Sequence, residues 1–352
     1  MTLIDTRTGD ARIKLIRDWL AGDLGWPRDC RLESASADAS FRRYFRVWRP
    51  SGATAVVMDA PPGKEVSAPY LRVSRLLKGC GVHVPAVEAA DAAKGLLLLE
   101  DLGSTHMLAR LQTGGDAQAL YAEALAALAL IQLRGSAALP ELSRYDSAAL
   151  EREMRLLPEW FCKRHLQRAL NAEDEALLAE TFHWLIREAL AQPTVFVHRD
   201  YHSRNLMITA ERSPGVIDFQ DAVAGPIGYD LVSLLKDCYI SWPRGRVEAW
   251  VAGYREQLRI AGAQVGAGSG EFLRWFDLVG LQRHIKVLGI FARLWYRDGK
   301  SGYLADLPLT LAYVRETAAR YSELRHFSAW VDAALVPGLA AANARVHALV
   351  PT

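Results

Sequence analysis

Cysteine is scarce in this chain of 352 residues: Cys30, Cys80, Cys162 and Cys238 are its only four, and no two share CxxC spacing. That scatter excludes a disulfide framework and a thiolate zinc site, and reads as reduced core thiols. An excess of either charge is also lacking. Lys and Arg total 42 against 40 Asp and Glu, a net charge of +2, too little for a bulk electrostatic grip on nucleic acid. No uncharged apolar run reaches the length of a membrane span; the nearest, 119–133, contains Glu123 and reads as a buried helix. The opening MTLIDTRTGD is polar, without the apolar core of a signal peptide. The expectation is a cytoplasmic protein with no membrane, nucleic-acid or obligate protein partner. Standard phosphate loops are missing too. There is no GxGxxG, and although Gly299-Lys300-Ser301 resembles the end of a Walker A loop, that motif's first Gly falls at Leu294. His198 and His202 have the spacing of a helical zinc pair, but Arg199 stands where HExxH has Glu and the segment leaves a strand, which disfavours zinc.

What is present is ordinary globular material, 51% hydrophobic and 23% charged, in a length that suggests two packed lobes. Residues 9–22 read as a first amphipathic helix, then 43–48, 53–58 and 95–100 as strands, with helical periodicity over 69–78 between them. Beyond about residue 104 the pattern is helical: 116–134, 146–169, 173–191, 228–240, 244–261, 271–297 and 325–349. There are no internal repeats. The one low-complexity stretch, 262–270, reads as a flexible loop. We divide the chain into a β-rich lobe, 1–102, and a helical lobe, 103–352.

One segment carries most of the chemistry. Residues 198–219 read HRDYHSRNLMITAERSPGVIDF. The β-rich run 194–197 leads in, and 206–208 and 216–217 flank the turn 211–215 as a small hairpin. An Asp at 200, an Asn five residues later and an Asp at 218 ending an apolar strand are the parts of a kinase-type phosphoryl transferase, in the kinase order. Such transfer needs positioning and charge neutralisation more than covalent help. Asp200 would orient the acceptor hydroxyl and take its proton. Asn205 and Asp218 are hard oxygen ligands for Mg²⁺, which binds few protein groups and keeps several waters. His198 reads as a buried imidazole holding the loop through backbone hydrogen bonds.

The nucleotide end is less explicit. Ser34 to Phe41 is a run of small residues ending in Phe; there it either covers ATP phosphates with backbone N–H groups, through Ser36, Ser40 and Phe41, or is a plain loop. The strand 95–100 runs into Asp101-Leu102-Gly103, where the backbone of Glu100 and Leu102 would meet adenine; an ordinary buried strand with a polar exit fits the composition equally. The usual phosphate-binding Lys is missing. Met58 or Asp59 holds its place, leaving Arg43 or Lys64 to supply the positive charge.

HRDYHSRNLM followed by VIDFQDAVAGPIGYDLVSLLKD resembles the aminoglycoside phosphotransferase-like small-molecule kinases, since GPIGYDL arrives almost at once, leaving no room for a protein-kinase activation segment. More narrowly, MDAPP at 58–62, LLLEDLG at 97–103 and the block 281–308 look like the bacterial anomeric amino-sugar kinases of cell-wall recycling. The resemblance implies an α+β, bilobal, protein-kinase-like fold and ATP with Mg²⁺ as cofactors. The implied reaction is phosphorylation of the C1 hydroxyl of N-acetylmuramate and N-acetylglucosamine. It makes Asp200 the base and Asn205 and Asp218 the Mg²⁺ ligands. Asp230 would brace the catalytic loop; capping the apolar helix it begins is the other reading. His202, Arg204 and Asp221 would face substrate hydroxyls.

Charge bears on the acceptor. Along 271–297, Arg283, Lys286, Arg293 and Arg297 share one narrow arc beside Val287, Phe291, Leu294 and Trp295. That arc is either a solvated basic edge or a place where Arg283 or Lys286 meets an anion such as a lactyl carboxylate. Both accounts disfavour a cationic substrate. Two alternatives stand beside the sugar 1-kinase: a kinase of the same fold acting on an aminoglycoside, choline or another metabolite alcohol, and a nucleotide-binding module without catalysis, suggested by the missing Lys.

Overall fold

The structure, a computed structural model, describes residues 10–37 and 42–348. They form two compact units. The first runs to Ala124 and takes in Arg204–Asp221; the second comprises Leu125–Ser203 and the chain from Ala222 onward. The units therefore interleave along the chain, unlike the division at residue 102 read from the sequence.

In the first unit, α1 (Ala11–Gly22) starts at Asp10, whose side chain accepts from the N–H groups of Arg12 and Ile13. Five strands follow: β1 (Leu32–Ala37), β2 (Arg43–Trp48), β3 (Thr54–Asp59), β4 (Val87–Asp91) and β5 (Leu96–Glu100). They pair antiparallel in the order β1-β2-β3-β5-β4. Strand alternation sends Phe45, Val47, Ala55, Val57, Leu96 and Leu98 to one face, where they bury Ile16, Trp19 and Leu20 of α1. Between β3 and β4 lies α2 (Ala68–Gly79), α3 (Met107–Gln112) follows β5, and α4 (Ala117–Arg134) begins in this unit and passes into the second at Leu125. The span Ala117–Glu141 is long and apolar enough to cross a membrane, but half of its apolar window is buried within the protein. β1 and β4 are not apparent in the sequence: LESASA and VEAAD carry little β-branched or aromatic signal, and they sit at the two edges of the sheet.

The second unit holds β6 (Ser143–Arg144), α5 (Ser147–Met154), α6 (Ala172–Leu190) and β7 (Thr194–Val197). The hairpin β8 (Leu206–Met207) and β9 (Gly215–Val216) returns the chain to the first unit. There Val216 N–H donates to His83 O at 2.7 Å and Ile208 N–H to Thr105 O at 2.8 Å. β10 (Val223–Pro226) then lies between β6 and β7, and α7 (Gly228–Leu235), α8 (Arg244–Ile260), α9 (Ser269–Asp298), α10 (Leu307–Arg320), α11 (Arg325–Trp330) and α12 (Val336–His347) complete the unit.

α9 is its spine, burying Phe276, Leu281, Ile285, Leu288 and Ala292. Two helices expected to be continuous are broken. The 146–169 stretch is α5 followed by a π-helical turn, Leu157–His165, and 325–349 is interrupted by another at Val331–Leu335. Pro158 and Pro337 lie at these breaks; each lacks an N–H, and its ring opposes the carbonyl four residues back.

Candidate active site

The first unit contains a cavity of ≈ 230 Å³ whose wall includes Tyr44, Glu100, Leu102, Arg204, Asn205 and Asp218. Its β2 and β3 wall is the sheet face opposite α1, bearing Tyr44, Arg46 and Val56. The hairpin supplies the acidic end. Asp218 sits at φ 63 after β9. Asn205 Nδ2 lies 3.3 Å from Asp218 Oδ2, and Ile217 N–H donates to Asn205 O at 3.1 Å. Gln220 Nε2 donates to Asp218 Oδ1 at 2.8 Å. A half-turn of the Asn205 amide brings its oxygen beside the carboxylate, so two hard oxygen donors converge on one side of the cavity. That suits Mg²⁺, which needs no third protein ligand, and among the described residues no cluster of three His, Cys, Asp or Glu competes for it.

At the other end, the Glu100 carboxylate accepts from Ala86 N–H and lies 3.1 Å from His83 Nε2, with Leu102 buried beside it. Of the small-residue run, Ser36 pairs with Tyr44 through β1, while Ser40 and Phe41 lie outside the described residues.

Arg43 is not in this wall. Its place in β2 puts it on the α1 side, where it donates to Asp59 Oδ2 at 3.1 and 2.8 Å and to Asp10. Lys64 is exposed and also absent from the wall. The cations near the cavity are others. Arg46 lines it, held by Asp101 at 2.6 and 2.9 Å, and Arg42 lies 3.9 Å from Asp218 Oδ1 with its side chain 11% exposed. Of the two residues at the expected lysine position, Met58 is buried on the strand face that carries Val56, and Asp59 is taken up by Arg12 and Arg43 on the other. The sequence reading missed Arg42 by one residue because it did not apply the period of two from Phe45 and Val47 back to the strand's entrance.

The second unit contains a smaller cavity, ≈ 120 Å³, with Asp200, His202, Arg283 and Lys286 in its wall. Tyr239, Phe291 and Tyr303 form an aromatic side, with ring centroids 6.2 and 5.4 Å apart along the series. Asp200 is held there by a loop anchored from below. Asp230, buried in α7, accepts from the backbone N–H groups of His198 at 2.6 Å and Arg199 at 3.0 Å. Asp200 N–H donates to His198 Nδ1 at 3.3 Å, the backbone-holding role read for that imidazole. Asp237 accepts from both the N–H and the hydroxyl of Ser203. Burial opposes charge on Asp200, but the positive surroundings of Lys286, His202, Arg199 and Arg283 prevail and hold its carboxyl below the usual range. Burial, assisted by the Asp200 charge, pushes Asp230 up to about 7 despite its two N–H donors.

Arg283 and Lys286 are buried, whereas Arg297 on the same arc is exposed, so only the first half of the basic stripe lines this cavity. Lys286 donates to Tyr229 Oη at 3.0 Å and lies 3.1 Å from Glu153 Oε1. Glu153, unremarked in the sequence, also accepts from Arg199 and Tyr145. Burial raises its pKa, but Lys286 and Arg199 outweigh that and keep it low. Nothing in the sequence around α5 marks Glu153 as charge-paired; its two cationic partners are about 46 and 133 residues away, a separation visible only in the fold. Two proposed sugar contacts lie elsewhere. Arg204 is in the wall of the first unit's cavity, its carbonyl bonded to His106, and Asp221 is exposed and lines neither cavity.

The model of the phosphotransferase enzyme family matches residues 31–268. The chain belongs to that family. It is 45% identical to the N-acetylmuramate/N-acetylglucosamine kinase of Pseudomonas aeruginosa, over 90% of this chain and 94% of that one. It is 47% identical to the protein of the same name from Neisseria meningitidis serogroup B, over 89% and 92%. Among solved structures, a Plasmodium vivax ethanolamine kinase shares the fold at a TM-score of 0.61, with 11% identity over 89% of this chain and 92% of its own. The expected α+β kinase-like fold is thus met, with a sheet-containing first unit and a helical second one.

Proposed function

We propose that the chain is an ATP-dependent sugar 1-kinase that phosphorylates the anomeric hydroxyl of N-acetylmuramate and N-acetylglucosamine in the cytoplasm, as a step of peptidoglycan recycling. The similarity to curated kinases of those two sugars carries the reading. The second unit's cavity supports it: aromatic rings suit a sugar, and the buried cations beside Asp200 oppose a polycationic drug or choline.

In this reading Glu100 and Leu102 offer backbone groups to adenine, and Asn205 and Asp218 hold Mg²⁺, which when bound neutralises charge on the phosphates. Ser36, Ser40 and Phe41 belong to the segment covering those phosphates, with Arg42 as the nearby cation. Asp200 accepts a hydrogen bond from the C1 hydroxyl and takes its proton. The C1 oxygen bonds to the γ-phosphorus as the bond to the β-bridging oxygen breaks, releasing ADP. His202 lies beside Asp200 to meet a neighbouring hydroxyl.

The test is incubation with ATP, Mg²⁺ and each sugar, followed by phosphorus NMR. Phosphate at C1 is expected, and loss of Asp200 should lower kcat by about 10²–10⁴-fold. Phosphate at C6, no sugar phosphate, or undiminished Asp200→Ala activity rejects the assignment.

A further inference from the structure

The cations beside Asp200 are not equivalent. Lys286 is already committed, with Glu153 and Tyr229 taking its ammonium. Arg283 is 4% exposed, and its one hydrogen bond among the described residues goes to a thiol, Cys238 Sγ, at 3.7 Å. No carboxylate stands within 4 Å of it among the described residues, although Asp200 and Asp237 are near enough to favour its charge. A guanidinium stays charged at any relevant pH, and a thiol offers little to a fork of five N–H donors. Burying such a group without an anionic partner is costly unless a ligand supplies one. Cys238 is itself kept neutral, since burial raises its pKa. Both side chains line the cavity that holds Asp200.

We propose that Arg283 is the acid-recognition residue of the acceptor site: it binds the carboxylate of an acidic amino sugar and sets the preference of the enzyme for that sugar over its neutral counterpart. The inference rests on the amino-sugar kinase reading and refines it. N-acetylmuramate carries a lactyl carboxylate on the sugar ring; N-acetylglucosamine has a hydroxyl in that place. A planar carboxylate matches the guanidinium fork with two parallel hydrogen bonds, and a hydroxyl satisfies at most one. Lys286 acts differently, steadying Glu153 and the loop that carries Asp200.

The experiment compares kcat/KM of the wild-type chain, Arg283→Gln and Arg283→Lys on N-acetylmuramate, N-acetylglucosamine and the methyl ester of N-acetylmuramate. The ester keeps the lactyl bulk and removes the charge. Arg283→Gln is expected to lower kcat/KM for the acid by roughly tenfold to a hundredfold more than for either neutral sugar. Arg283→Lys, which keeps the charge and loses the fork, should retain part of the discrimination and guards against a Gln variant that fails to fold. Equal losses on all three sugars, or an unchanged acid-to-ester ratio in either folded variant, overturn the proposal. Absence of wild-type activity on every sugar would instead sink the kinase reading, so the two failures are distinct.

Discussion

At the level of single residues, the site is governed by carboxylates whose partners differ. Asp230 binds two backbone N–H groups at the base of the loop that carries Asp200, yet its pKa is raised to about 7, with burial the main cause. Between about pH 4 and 7 the folded protein therefore holds a proton on Asp230 that the unfolded chain, at an ordinary value near 3.8, has released. Its contribution to stability is fully present below that ordinary value and is lost as pH rises through 7. Asp230→Asn should flatten the pH dependence of the melting temperature between pH 4 and 7. Above pH 7, where the carboxyl is ionised, it should also lower kcat, because an amide accepts one N–H and opposes the other; an unchanged pH profile counts against this role. Glu153 presents the opposite case, one carboxylate between two cations. Glu153→Gln leaves Lys286 buried and Arg199 half-buried without their shared counter-charge, and breaking the buried Lys286 pair costs about 3–5 kcal/mol. Urea unfolding measures the loss, and a change below 1 kcal/mol would mean that solvent screens the trio. Asp200, Asn205 and Asp218 could be singled out in the sequence because their spacing is local, and the fold sets Asn205 beside Asp218; Glu153 could not, because its cationic partners are distant in the chain.

Among the elements, α9 was read from periodicity nearly end to end, 271–297 against the observed Ser269–Asp298. α10 escaped notice although Leu307, Leu311, Val314 and Ala318 follow a helical period and Pro308 suits a first turn. The edge strands and the π-helical turns escaped for a physical reason: tertiary pairing makes the former, and proline within an otherwise helical pattern makes the latter. α9 also carries a position where size alone decides. A Cβ on Gly289 would fall 2.3 Å from the Leu156 carbonyl carbon and 2.5 Å from its oxygen. Backbone cannot yield as a flexible side chain does, so Gly289→Ala is expected to destabilise the fold by about 1–3 kcal/mol, despite the better helix propensity of Ala. Equilibrium urea unfolding decides it; a neutral or stabilising result would mean that the Leu157–His165 turn shifts at little cost.

Over the molecule as a whole, near-balanced charge concealed a local imbalance, because composition averages over a surface that the buried site does not share. The two cavities draw their walls from different units: Asn205 and Asp218 belong with the sheet, Asp200 with the helices. Amide hydrogen exchange should therefore separate the ligands. ATP with Mg²⁺ should protect the backbone of β5 and of 204–221, and N-acetylmuramate alone should protect 200–203, the 236–239 loop and the middle of α9. Protection by the sugar confined to 204–221 would place the acceptor in the wrong cavity.

The loop bearing Asp200 is fastened mostly through its main chain. His198 and Arg199 offer N–H groups to Asp230, and Ser203 offers its own to Asp237. Main-chain donors survive a change of side chain, so neighbouring loop positions can mutate while the carboxylate keeps its address. On the proposed assignment, exchange at positions such as 202 would alter the acceptor while Asp200 stays in place.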